Sequence, residues 1–85
     1  MKHAGPATLD ALEPMLEALR THDRIVERKR GVFYRKSQAF LHFHEDPAGY
    51  FCDVRLDPVK DFERFPVTTE AQRRNLLQRI AKILA

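Results

Sequence analysis

Apolar residues recur along this chain with two different periods. Leu9, Leu12, Leu16 and Leu19 fall three or four positions apart, as do Leu76, Leu77, Ile80, Ile83 and Leu84. That spacing places each set on one stripe of an amphipathic helix. The first set predicts a helix over 8–22, capped by Thr8 or Asp10, with Asp10 and Glu13 in the form of a capping box. Pro14 either bends this helix or occupies the first position of the helix proper, where its missing N–H has no intrahelical partner to lose. The second set follows Thr69, with Gln72 three residues later, and predicts a helix that runs to the end of the sequence.

Between the two helices the period drops to two. Asp46-Pro47-Ala48-Gly49 is a turn sequence, since Asp can bond the backbone two residues on, Pro pre-sets φ and Gly accepts φ > 0. A three-residue loop pairs Asp46 with Tyr50, whereas a four-residue loop pairs Glu45 with Tyr50. The second register gathers Leu41, Phe43, Tyr50, Cys52, Val54 and Leu56 on one side. The first forces His42 and His44 onto the side of Cys52 and Val54, and a slip of one residue exchanges core for solvent along a whole strand. The register with Glu45 opposite Tyr50 is therefore expected.

The preceding segment, 25–36, reads as a strand with Gly31 as a bulge. A tight turn near Ser37 and Gln38 then directs Val32 and Tyr34 inward, and Phe33 and Arg35 outward. A short fourth strand over 63–67 points Phe65 and Val67 inward, with Pro66 confining it to a sheet edge. The expected fold is α+β: an N-terminal helix, a three- or four-stranded antiparallel meander and a C-terminal helix, with both helices on one sheet face. Residues 1–7 are expected to be a mobile N-terminus, and 8–85 a single domain.

This pattern leaves an unusual outer face made of Phe33, Arg35, Phe40, His42, His44, Phe51, Asp53 and Arg55, with His42 across from Asp53 and Phe40 across from Arg55. A chain of 85 residues has little apolar surface to spare, so three outward phenylalanines imply a binding surface or a buried interface. Three readings fit. The net charge is +3, and Arg24, Arg28, Lys29, Arg30, Arg35 and Lys36 crowd into thirteen positions; the three phenylalanines as stacking surfaces, with Arg35, Arg55, Lys29 and Arg30 for phosphate contact, suit nucleic acid, with Asp53 opposing it. Alternatively the face is covered in a homodimer or by a protein partner, with the charges forming a polar rim. In the third reading His42 and His44, two apart on a strand, share a metal ion with Asp53 as a further ligand.

Catalysis finds less support. There is no GxSxG elbow and no glycine-rich phosphate loop, and no cofactor is expected. Cys52 is the only cysteine and its strand position points it into the core, away from both histidines, so a thiol nucleophile is not expected. A lone cysteine, the absence of an apolar segment of membrane-spanning length and the absence of a secretory signal predict a cytoplasmic protein without membrane association.

Residues 32–58, VFYRKSQAFLHFHEDPAGYFCDVRLDP, resemble the strand-turn-strand region of the YjbR-like (MmcQ/YjbR) proteins, in which an aromatic-rich strand, a short turn, a second strand and a third ending in Asp-Pro recur. The resemblance covers about a third of the chain. It implies an α+β fold related to the CyaY-like group and a DNA-binding role suggested for that family. This chain is the shorter, with one extended segment and one helix after Asp57-Pro58, and the resemblance transfers no functional residue.

Overall fold

The computed structural model describes all residues, Met1–Ala85. Its elements follow in the order β1 (Lys2–His3), α1 (Pro6–Ala11), α2 (Glu13–Arg20), β2 (Val26–Lys29), β3 (Val32–Arg35), β4 (Gln38–Asp46), β5 (Gly49–Val54), β6 (Glu63–Pro66) and α3 (Glu70–Leu84). The strands form one antiparallel sheet in the order β2-β3-β4-β5-β6, with β1 also paired to β4. The fold is α+β, and no helix is long and apolar enough to cross a membrane.

The two leucine stripes meet in the core. Leu12, Leu16 and Leu19 from the first stripe and Leu76 and Ile80 from the second are almost wholly buried, in one cluster with Leu41, Phe43, Cys52 and Val54 from the sheet. Pro14 lies in the first turn of α2, and the helix expected over 8–22 is divided at Leu12 into α1 and α2. No side chain caps α2. Asp10 and Glu13, expected as a capping box, instead hold the Arg30 guanidinium at 2.8 and 2.9 Å. At α3 the expected box forms: the Thr69 hydroxyl accepts from the Gln72 N–H, and the Gln72 amide oxygen accepts from the Thr69 N–H.

The β4–β5 hairpin has the expected register, with Glu45 opposite Tyr50, Phe43 opposite Cys52 and Leu41 opposite Val54. Asp46 Oδ1 accepts the Ala48 N–H at 2.7 Å, which is the turn bond its sequence predicts. β6 lies on the sheet edge, as Pro66 requires, and Val67 just beyond it is fully buried.

Three expectations are corrected. Residues 1–7, expected to be mobile, contain a strand: β1 pairs with the far part of β4, Lys2 opposite Glu45 and His3 opposite His44, and α1 begins at Pro6. The single strand over 25–36 is instead a hairpin, β2 to β3, whose turn passes through Gly31 at φ +79°. Most important, β3 is inverted relative to the expected facing. Lys36 and Ser37, both at positive φ, make a two-residue turn that pairs Arg35 with Gln38. Tyr34 then faces Ala39 but Phe33 faces Leu41, so Phe40 is an extra residue on β4. This bulge shifts the pairing by one and exchanges the two sides of β3.

Phe33 is consequently in the core with Leu41, at 1 % exposure, and Phe40 is buried in the same cluster at 2 %. Both were expected to face outward. Arg35, also expected outward, reaches the Ile83 carbonyl near the end of α3 at 3.5 Å. Val32 and Tyr34, expected inward, line a cleft with His42 on the opposite face.

Candidate metal centre

The outer face of β4 and β5 carries His42, His44, Phe51 and Asp53, where the alternation of the hairpin places them. Phe33, Phe40 and Arg35 do not join them, so the face lacks two of the three expected aromatic rings. Phe51 is half-buried, opposite His44 on one side and Pro66 on the other. Arg55 is committed to structure. Its guanidinium stacks over the Phe62 ring at 4.4 Å and donates to the carbonyls of Ala39 at 3.1 Å and Lys60 at 2.7 Å, which pins the segment after β5 against the sheet.

Asp53 is the centre of the remaining group. It is only 7 % exposed, on a central strand, and a carboxylate taken out of water requires compensation. Arg64 on β6, directly opposite in register, supplies it in a two-pronged pair, Nε to Oδ1 at 2.7 Å and an Nη to Oδ2 at 2.8 Å. His44 Nε2 at 3.2 Å and His42 Nε2 at 3.5 Å converge on the same Oδ2. Burial pushes the Asp53 carboxyl up, but the Arg64 bonds and charge, with the histidines, outweigh it and hold the group below its ordinary range.

Both imidazoles are also held below their ordinary value. Burial is the main cause that lowers the pKa of His42 and of His44; His44 adds to it for His42, and His3 and Arg64 add to it for both, while Asp53 opposes. The rings are therefore neutral at neutral pH. His44 Nδ1 is fully buried without a well-formed hydrogen bond, although the Lys2 main chain lies close enough to favour its protonation.

Besides Arg64, two members of this group were not anticipated. His3, brought in by β1, stacks on His44 with ring centroids 4.7 Å apart and lies 5.7 Å from His42. Phe62 closes another side, edge-on to His42 at 4.8 Å. Nothing in the local sequence around either residue signals this role, because each arrives from a separate segment. The ligand atoms of His42, His44 and Asp53 all lie within 4.8 Å of one another, close enough to share a metal ion.

Cys52, beside Asp53 in sequence, faces the core and is fully buried. Burial first, and the Asp53 charge second, push its thiol well above the ordinary range, so it supplies no thiolate to this centre.

A scan against protein-family models matches none of them. Searches of the curated proteins and of the solved structures likewise find no match.

Proposed function

We propose that this protein is a small metal-binding domain whose outer sheet face holds a late first-row divalent ion, zinc foremost, between His42, His44 and Asp53. The observation that carries the reading is the convergence of three donors: His42 Nε2 and His44 Nε2 stand 3.5 and 3.2 Å from Asp53 Oδ2. A tetrahedral ion with bonds of about 2.0–2.1 Å needs ligand atoms about 3.4 Å apart. Both histidine–Asp53 distances already match that, and the set as a whole lies within 4.8 Å, so the two imidazoles draw together as the ion binds.

The electrostatics support the same reading. Metal binding competes with protons, and an imidazole kept neutral by burial has one proton fewer for the ion to displace at neutral pH. Arg64 holds Asp53 from behind, in the way that outer partners fix the orientation of a ligating carboxylate. Two imidazoles and one carboxylate suit zinc, copper, nickel or iron and suit calcium or magnesium poorly. Three protein ligands leave a fourth position for water or a bound molecule.

Equilibrium dialysis of tag-free protein against Zn(II), with elemental analysis, tests this. One ion per chain is expected at micromolar free zinc, with binding lost in His44→Ala and His42→Ala and retained in Cys52→Ser. Wild-type protein that stays metal-free, or a His44→Ala variant that binds as well as wild type, rejects the reading.

A further inference from the structure

Both β1 and β3 pair with the same edge of β4, β3 at 38–41 and β1 at 44–45. The β2–β3 hairpin and β1 therefore face each other across a short stretch of that edge, and a cleft of about 520 Å³ opens there. That volume lies in the range of small-molecule sites. We propose that this cleft binds a small organic carboxylate with an apolar, planar body.

The chemistry of the walls selects that class. Leu9, Val32 and Phe43 give an apolar floor, and Tyr34 and Phe62 give aromatic walls on which a planar body stacks. Arg28, Lys29 and Arg30 supply the charge, and no acidic residue lines the cleft although the chain has 12 of them. Arg30 is already occupied by Asp10 and Glu13. Arg28 lies over the Tyr34 ring at 4.5 Å, and neither it nor Lys29 forms an ion pair within the protein. Two cations without acidic partners beside a mainly apolar lining match one carboxylate head and an apolar body. A polyanion would leave most of its charge without partners there.

The inference does not depend on the metal. Protein kept in chelator and titrated with 2-naphthoate and with its neutral analogue 2-naphthamide, followed by amide shifts in 15N–1H correlation spectra, tests it directly. Naphthoate is expected to shift the amides of Gly31, Val32 and Phe43 and to saturate at a concentration at least tenfold lower than naphthamide. Lys29→Gln and Arg28→Gln each reduce that preference severalfold, while Arg79→Gln, whose guanidinium lies over Phe65 instead, leaves it unchanged. The spectra report the folding of every variant. Equal affinity for the two probes, saturation mapping to residues elsewhere, or a preference that survives both cleft variants overturns the assignment.

Discussion

His44 Nε2 lies closer to the Asp53 carboxylate, at 3.2 Å, than does His42 at 3.5 Å, although His42 and not His44 is the direct cross-strand partner of Asp53. Diagonal neighbours in an antiparallel pair are within reach of long side chains, and here the diagonal contact is the shorter one. A single carboxylate thus collects two imidazoles from one strand and a guanidinium from another.

Arg64→Ala is expected to destabilise the protein at least as much as Asp53→Ala does. Removing the guanidinium leaves the largely buried Asp53 carboxylate without its two shortest hydrogen bonds and costs about 1–3 kcal/mol. Removing the carboxylate leaves Arg64, 48 % exposed in its side chain, to water and two neutral imidazoles short of one acceptor, which costs about 1–2 kcal/mol. Urea denaturation midpoints compare the two. An Asp53→Ala variant as stable as wild type would show that the cluster contributes nothing to the fold.

Stability of the metal-free protein should fall in two stages on acidification. His42 and His44 have folded pKa values below the ordinary imidazole value of about 6.5, so the unfolded chain takes up their protons first. Their contribution is complete above that value, declines as pH falls towards the depressed folded values and then levels off. Asp53 and Glu45 act lower, both with folded values below the ordinary carboxylate range, Glu45 chiefly because the Gly5 N–H donates to it. Their stabilisation is present above about pH 4 and is lost as pH falls through the folded values. Denaturation midpoints from pH 8 to 3 should show the upper stage flattened in His44→Gln, and a wild-type profile flat between pH 7 and 5 contradicts this account.

Gly49→Ala should cost about 1–3 kcal/mol. Gly49 has φ +142°, and a Cβ there would sit 2.2 Å from Thr68 Oγ1, the atom that accepts the Tyr50 N–H at 3.0 Å. In a Thr68→Ala background the clash with Oγ1 and Cγ2 disappears, leaving the backbone strain and a 3.3 Å approach to the Cβ of residue 68, so the glycine substitution should cost less there than in wild type. Additive costs in thermal melts would place the whole effect in the backbone.

Cys52 should resist Ellman's reagent in the native state and react only as the chain unfolds. Its sulfur is buried among core side chains and its thiol is held well above the ordinary range. Reaction of folded protein at the rate of a free thiol would contradict that placement.

The alternation of Leu41, Phe43, Cys52 and Val54, the Asp-Pro-Ala-Gly reversal and the two leucine stripes were sufficient to determine the α+β class, the β4–β5 register and the pairing of His42 with Asp53. These features are local: a period-two strand beside a tight turn admits one register once one face must be apolar. Tertiary structure alone decided the rest. The bulge at Phe40, invisible as a composition signal, turned β3 over and moved Phe33 and Arg35 from the outer face towards the helices. His3, Phe62 and Arg64 reach Asp53 and its histidines from positions between 9 and 50 residues away, and no spacing rule links them. Periodicity records which side of its own element a residue takes; which elements are brought together, and where a ladder gains one residue, depends on how the whole core packs.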